Sequence, residues 1–238
     1  SILAVVLCWG ISLSALTQAG TYSGGDGTEA NPYQISAVND WMELIGTWAD
    51  WNSHFILTAD LDFGGAAITP VARDTDPSSS GFQGTAFTGV LDGGGHVLRN
   101  YVINQPASDY VGLFGQVGSG GQIMNLGAEP IQVTGRYYVG GLCGENFSTI
   151  TSCYATGAVS GTSYVGGLCG ENHYYSTITS CYAMGAVSGT DSVGGLCGEN
   201  NYYSTISGSF WDIQTSGRTT SAGGTGKTTA QMQTLFTF

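Results

Sequence analysis

Four copies of one short segment recur along the second half of the chain at nearly constant spacing. Each copy places a valine ahead of a Gly-Leu pair, and the spacings between successive valines are 28, 26 and 28 residues, for Val111, Val139, Val165 and Val193. A second column follows almost the same period, at Ile123, Ile150, Ile178 and Ile206. Two columns locked to one period mean that each repeat contains at least two strand-like segments. Such repeats bury their apolar side chains by stacking on one another.

The composition of each repeat indicates strands and turns. Short runs of Val, Ile, Thr, Tyr and Cys alternate with Gly, Asn and Ser, and no long window has helical periodicity. A period of about 27 residues fits one coil of a parallel β-solenoid, with coils stacked about 4.8 Å apart. Helical repeats need amphipathic helices, and propeller blades need roughly 40 residues each. The sequence therefore predicts an all-β fold, a parallel β-helix (solenoid).

Two columns that contain cysteine indicate positions facing the core. Cysteine exchanges with phenylalanine in one column and with leucine in the other, which predicts buried thiols that pack as small apolar groups. The two columns are Phe114, Cys143, Cys169 and Cys197, and Leu126, Cys153 and Cys181. If any pair forms a disulfide, we expect it to be Cys153–Cys181. A further column of Asn and Ser is predicted to form a corner of each coil, at Asn100, Asn125, Ser152 and Ser180.

The segments before the repeats have a different character. Residues 1–19 are apolar up to Leu16 and end in small residues, which predicts a signal peptide rather than a membrane span. Residues 20–81 are predicted to form an N-terminal cap over the first coil, with one short helix from Val38 to Ala49. We expect residues 82–215 to form the β-helix.

The last segment, residues 216–238, is rich in Gly, Ser and Thr and is predicted to be a loop or linker. We expect the natural protein to continue beyond Phe238.

The charge balance excludes two classes of partner. The 238 residues include 17 acidic and five basic side chains, a formal net charge of −12. This charge repels phosphate backbones and anionic lipids, so we expect no nucleic-acid partner and no membrane insertion once the signal peptide has been removed. The sequence predicts a protein that is secreted or lies on the cell surface.

The repeated segments resemble the GLUG-motif repeats of secreted bacterial proteins. The Gly-Leu-x-Gly signature of that family stands at Gly112–Gly115, Gly141–Gly144, Gly167–Gly170 and Gly195–Gly198. The lead-in segment Gly27–Tyr33 and the closing Phe210–Asp212 are also similar to the family's usual ones. The resemblance implies a right-handed β-helix in cell-surface or secreted proteins, some of which are immunoglobulin-A-cleaving metalloproteases. It implies no chemistry, because the repeats have no established catalytic role.

The residues themselves predict no catalytic, cofactor-binding or metal site. The three histidines, His54, His96 and His173, are too far apart in sequence for the helical pair of a metalloprotease. Asp60 and Asp62 suggest the acid pair of a lyase or glycosidase, but no Lys or Arg lies near them in sequence. We therefore expect a protein that is not an enzyme, with a polysaccharide lyase or hydrolase as the weakest alternative.

A Glu-Asn pair recurs in three coils and leaves two interpretations open. The glutamates are Glu145, Glu171 and Glu199. The favoured interpretation is a column of solvated turn residues. The alternative is a calcium site, because stacked carboxylates repel one another unless a cation screens them.

Two sets of side chains are candidates for facing a ligand. Thr-Ile-Thr segments would project hydroxyls outward in rows, as ice-binding solenoids do, while paired tyrosines could stack on sugar rings or contact proteins. The residues are Thr149, Thr151, Thr177, Thr179, Thr205, Tyr138, Tyr174, Tyr175, Tyr202 and Tyr203. We expect a structural or adhesive cell-surface role with an extracellular glycan or protein as partner. A ligand-binding module for glycans or ice is the alternative.

Overall fold

Parallel strand pairing runs through almost the whole chain in this computed structural model, which describes residues 19–235. The signal peptide predicted for residues 1–19 lies outside the described residues except for Ala19. The apolar column of the repeats forms one continuous row, from Phe55 through Leu91 and Ile123 to the repeat isoleucines. Almost every member of this row is fully buried, so the row is the spine of the core.

Short strands and one helix make up the first part of the chain. The elements are β1 (Tyr33–Ile35), α1 (Val38–Gly46), a 3₁₀ turn (Trp48–Asp50), β2 (His54–Leu57), β3 (Leu61–Asp62), β4 (Val90–Asp92), β5 (Val97–Arg99) and β6 (Tyr101–Asn104). Helix α1 begins where the Asp40 carboxylate accepts backbone N–H groups from Ser36 and Ala37, at 2.8 and 3.0 Å. It buries Trp41 and Leu44 on the face turned to the core.

The repeats supply the remaining strands. They are β7 (Phe114–Val117), β8 (Gln122–Met124), β9 (Gly127–Thr134), β10 (Tyr137–Gly140), β11 (Cys143–Asn146), β12 (Thr149–Thr151), β13 (Tyr154–Ser160), β14 (Ser163–Gly166), β15 (Cys169–Asn172), β16 (Thr177–Thr179), β17 (Tyr182–Met184), β18 (Val187–Ser188), β19 (Asp191–Gly194), β20 (Cys197–Asn200), β21 (Thr205–Ser207) and β22 (Phe210–Asp212). Two short helices and a strand close the chain: α2 (Ile213–Ser216), β23 (Thr225–Lys227) and α3 (Thr229–Leu235).

These strands form four sheets along the sides of the stack within the described residues. The orders are β1-β2-β4-β8-β12-β16-β21, β20-β15-β11-β7, β10-β14-β19, and β23-β22-β17-β13-β9-β5-β3, with β6 and β18 beside the last. Each complete coil contributes one strand to each sheet, as β10, β11, β12 and β13 do in turn. The predicted all-β parallel β-solenoid is confirmed, and so is the short helix in its N-terminal region.

The parallel stack is longer than the repeat motif alone indicates. Strands β1 and β2 lie in the segment predicted to be a cap, yet they pair in parallel with each other, and β2 pairs in parallel with β4. Strand β23 lies in the segment predicted to be a loop and pairs in parallel with β22. The first coils lack the Gly-Leu-x-Gly signature but keep the inward apolar positions, and those positions suffice for stacking.

The core columns agree with the sequence prediction. The five cysteines of the described residues are all buried and unbridged, including Cys153 and Cys181. Each thiol lies close to a backbone carbonyl, as Cys143 Sγ does to the oxygen of Glu145 at 3.0 Å. The predicted corner is also confirmed, because its residues have φ between 52° and 59° at Asn100, Asn125, Ser152 and Ser180.

Candidate functional site

Two loops that carry paired tyrosines differ from the equivalent loop one coil earlier. The loop 147–148 after β11 has two residues, whereas the loops 173–176 and 201–204 after β15 and β20 have four. The additional residues are Tyr174–Tyr175 and Tyr202–Tyr203. Both loops turn the same corner, between the sheet that holds β15 and the sheet that holds β16.

All four loop tyrosines combine backbone strain with exposure. Their φ angles lie between 51° and 65°, a left-handed conformation that costs a residue with a Cβ atom about 1–2 kcal/mol. Their side chains are nevertheless exposed, from 60% for Tyr174 to 81% for Tyr203. Strained residues that gain nothing from burial are typical of functional sites. These loops are therefore the strongest candidate for a binding surface.

The rings of this corner contact one another across three coils. Tyr175 stacks on Tyr203 with ring centres 5.3 Å apart and planes 18° apart, and Tyr174 meets Tyr175 edge-on at 5.2 Å. Beneath them the His173 ring lies between Phe147 at 5.0 Å and Tyr202 at 4.7 Å. We call this set the aromatic edge, and it comprises Phe147, His173, Tyr174, Tyr175, Tyr202 and Tyr203.

Tyr138, the fifth tyrosine predicted to face a ligand, lies elsewhere. It is stacked between Tyr110 and Tyr164, with 4.7 Å between ring centres and planes 6° and 3° apart. Burial is the main reason that the pKa of Tyr138 rises to about 12, and the charge of Glu171 adds to it. Tyr138 is thus part of a half-buried ladder that packs against the coils and not of the aromatic edge.

The predicted threonine rows are present on the neighbouring sheet. Thr149, Thr177 and Thr205 pair in register, and Thr151, Thr179 and Ser207 form the second row. The isoleucines between them point inward, and hydroxyls of successive coils lie 3.3–3.4 Å apart. The rows extend over three coils, because the preceding coil has Gln122 and Met124 at these positions.

The glutamate column is not the solvated turn that the sequence favoured. Glu145 and Glu171 are each only 6% exposed, within strands β11 and β15. In the preceding coil the same column holds Gln116, whose Nε2 donates to Glu145 Oε2 at 2.6 Å. Burial raises the pKa of both carboxyls, and the adjacent Glu145 charge raises that of Glu171 further. His173 of the aromatic edge lies against both side chains, with its Nδ1 3.4 Å from Glu145 Oε1 and 3.7 Å from Glu171 Oε1.

The asparagines that follow these glutamates form an internal ladder, which the sequence interpretation missed. Asn146 Nδ2 donates to Asn172 Oδ1, and Asn172 Nδ2 donates to Asn200 Oδ1, each at 2.8 Å. Asn146 and Asn172 are fully buried. Their strict recurrence at the end of a strand is the signal that could have identified them. The ladder also joins the two ends of the first tyrosine loop, because Asn172 accepts the hydroxyl of Ser176, the last residue of that loop, at 2.8 Å.

The aspartates considered for catalysis occupy structural positions. The fold brings Arg99 to 2.9 Å and His96 to 3.1 Å from Asp60, although neither is near it in sequence. These hydrogen bonds, that from His96 first, hold the pKa of Asp60 below its usual value. Asp62 accepts from Asn100 Nδ2 at 2.9 Å. This arrangement keeps Asp60 ionised and does not supply the raised pKa that a general acid needs.

Comparison with known proteins identifies the repeats. The GLUG motif family matches residues 135–160 and 161–188. The chain is 33% identical over 145 residues to halomucin of Haloquadratum walsbyi, which is 57% of this chain and 2% of that protein. It is 30% identical over 137 residues to a candidate Gly-rich membrane protein of Evansella cellulosilytica, 54% of this chain and 15% of the other. The chain therefore spans a small part of these relatives.

The fold itself has a solved counterpart. The crystal structure of a candidate immunoglobulin A1 protease from Bacteroides ovatus superposes with a TM-score of 0.57, over 90% of this chain and 89% of the other. At 18% sequence identity this likeness concerns the fold alone. Among the described residues, no helix has the length and apolar character needed to cross a membrane.

Proposed function

We propose that this β-solenoid, which carries GLUG motifs at residues 135–160 and 161–188, is a non-enzymatic adhesive module of the cell surface that binds glycans. The aromatic edge would make the contact. The observation that carries the proposal is the pair of tyrosine loops, in which four residues accept a strained backbone and keep their rings in solvent.

Tyrosine suits this task for physical reasons. Its ring offers a flat apolar face to the C–H face of a sugar, and its hydroxyl bonds to the sugar's own hydroxyls. The ring loses little conformational entropy on binding, because only two side-chain torsions are free. The loops repeat on adjacent coils about 4.8 Å apart, so the edge presents several rings along one line. A line of rings fits an extended polysaccharide better than a single small sugar.

The charge of the chain narrows the class of glycan. The net charge is −12, and the glutamate column lies directly beneath the aromatic edge. Sulfated or uronic-acid polysaccharides would be repelled by this field. We therefore propose neutral polysaccharides as the ligands.

Two further observations support the location and the absence of catalysis. The relatives are named as a halomucin and a membrane protein, and these names support a cell-surface position for this chain. The exposed carboxylates Asp60 and Asp62 are engaged in hydrogen bonds that bind neighbouring coils together, so they support a structural role.

The threonine rows support a second candidate function, binding of ice. Thr149, Thr177 and Thr205 repeat at the spacing of the coils and point outward. The rows extend over three coils, and the bulky stack of Tyr154 on Tyr182 follows them on the adjacent strands. Such a face is small beside the aromatic edge, so we favour glycan binding.

Affinity electrophoresis of the full chain through gels containing neutral polysaccharides tests the proposal. Cellulose derivatives, xylan, mannan and soluble chitin oligomers cover the main neutral backbones, and alginate provides an anionic comparison. We expect at least one neutral polysaccharide to retard the chain. Replacing all four loop tyrosines by serine should weaken retention at least tenfold, since each ring contact contributes about 1 kcal/mol.

Tyr137→Ser is the matched control, because Tyr137 is exposed but lies on strand β10, away from the edge. It should bind as the unaltered chain does. Retention that survives the loss of the four tyrosines, or retardation by alginate alone, would contradict the proposal. Lowering of the freezing point by the chain without any glycan retention would favour the threonine rows instead.

A further inference from the structure

Three side chains from two adjacent coils converge beneath the aromatic edge. Glu145, Glu171 and His173 each offer one ligand atom, and these three atoms lie within 4.8 Å of one another. The imidazole nitrogen is 3.4 Å from the first carboxylate oxygen and 3.7 Å from the second. We propose that these three residues bind a divalent transition-metal ion, for which Zn²⁺ is the probe.

The distances fit such an ion. Zinc takes oxygen and nitrogen ligands at about 2.0–2.2 Å in tetrahedral geometry, which sets neighbouring ligand atoms about 3.4 Å apart. Two of the separations in this cluster are already near that value. The third separation, between the two carboxylates, lies within 4.8 Å and would have to shorten for the ion to be held.

The ligand types select the metal class. An imidazole nitrogen together with carboxylates suits zinc and its neighbours, whereas calcium prefers six to eight oxygen ligands. The sequence alone offers calcium as the alternative for this column because its stacked carboxylates repel one another, and it leaves His173 out of the site. His173 directly follows the Glu171-Asn172 pair, at the position that Phe147 holds one coil earlier.

A second observation that points to a cation is the burial of Glu171 without a short hydrogen bond. Its side chain is only 8% exposed, yet among the described residues its shortest hydrogen bond is 3.4 Å long, from Asn201 Nδ2. Neither Lys nor Arg forms an ion pair with either glutamate within residues 19–235. A carboxylate this deeply buried beside another carboxylate is costly unless a cation or proton compensates it.

The surroundings hold the ligands in place, as the outer shell of a metal site does. Gln116 orients Glu145 through the 2.6 Å hydrogen bond to its other oxygen. The rings of Phe147 and Tyr202 clamp the His173 imidazole from both sides. His173 keeps a quarter of its side chain exposed, which leaves a path for the ion and for a water ligand.

The site does not depend on glycan binding, so its test uses the metal alone. The full chain is freed of metal with a chelator and titrated with Zn²⁺ and Ca²⁺ by calorimetry and by thermal unfolding. We expect one Zn²⁺ per chain and a rise in melting temperature, with a much weaker response to Ca²⁺. Glu171→Gln and His173→Gln should each weaken zinc binding by at least tenfold.

Glu199→Gln is the matched control, because Glu199 belongs to the same column but has no histidine beside it. It should bind zinc as the unaltered chain does. Folding of Glu171→Gln is checked by circular dichroism without metal, where the loss of like-charge repulsion should leave it at least as stable as the metal-free chain. Three results would overturn the proposal: zinc binding unchanged in both ligand variants, equal responses to Ca²⁺ and Zn²⁺, or no stabilisation by zinc at neutral pH.

Discussion

The backbone strain of the tyrosine loops predicts that glycine is better tolerated than alanine at Tyr203. This residue has φ of 65° and is 81% exposed, and its ring contact is with Tyr175. Both Tyr203→Gly and Tyr203→Ala remove that ring contact equally. The two variants differ by one methyl group, so their comparison isolates the backbone.

The magnitude follows from two opposing effects. A Cβ atom at this left-handed φ costs about 1–2 kcal/mol, which glycine avoids. Glycine loses about 0.5–1 kcal/mol more conformational entropy than alanine when the chain folds. The free energy of unfolding should therefore be about 0.5–1 kcal/mol higher for Tyr203→Gly than for Tyr203→Ala.

Urea unfolding followed by circular dichroism measures this difference, with Thr205 as the control position. Thr205 is exposed in the extended strand β21, two residues after Tyr203. There the order should be the usual one, with Thr205→Ala more stable than Thr205→Gly by about 0.5–1 kcal/mol. If alanine equals or exceeds glycine at both positions, the loops are not strained, and strain no longer supports a binding role for their tyrosines.

Three other predictions concern the stack itself. Asn172→Ala should lower the free energy of unfolding by about 2–3 kcal/mol, because it removes the hydrogen bonds that join Asn172 to the Asn146 and Asn200 amides and to the Ser176 hydroxyl; a loss under about 0.5 kcal/mol in urea unfolding would show that the ladder is unimportant. Gly157→Ala should destabilise by more than about 2 kcal/mol, since φ is 134° and the new Cβ would clash with the carbonyl oxygen of Ile131; unfolding at the original urea midpoint would refute the close contact. The fold raises the pKa of Tyr138 from 10.0 to about 12, so its hydroxyl is neutral at neutral pH. The stability that this neutral hydroxyl contributes is fully present below pH 10 and is lost as the pH rises from 10.0 to about 12. Ultraviolet titration of the chain and of Tyr138→Phe should show one late-ionising tyrosine missing from the variant, and identical curves would contradict this.

The sequence predicted the coils well because equivalent residues of successive coils recur at a nearly fixed spacing and so form recognisable columns. The positions of Ile150 and Cys153 recur at the coil period. Other coils also carry apolar residues at these positions, so the positions must face the core. The same reasoning failed for the earliest coils, whose strands β1 and β2 keep inward apolar residues but are separated by helix α1. A period interrupted by a helix is invisible to a search for fixed spacing.

The candidate site was predicted in part, since the spacing shows which residues stack but not which way each one points. Tyr174 and Tyr203 were identified as ligand-facing, and the structure exposes both. Glu145 and Glu171 were assigned to solvent, because a Glu-Asn pair after glycine reads as a turn. The spacing does not show that strands β11 and β15 continue through these residues and bury them. His173 follows Glu171 by two residues, but the spacing does not show that its ring turns toward the column.

The most direct test of glycan binding by the aromatic edge is chemical footprinting of its tyrosines. The chain is iodinated with and without the polysaccharide that retards it, and the modified residues are read by mass spectrometry. We predict that Tyr174, Tyr175, Tyr202 and Tyr203 lose reactivity in the complex while Tyr137 does not. Unchanged reactivity of all four loop tyrosines in a complex that demonstrably forms would contradict the account.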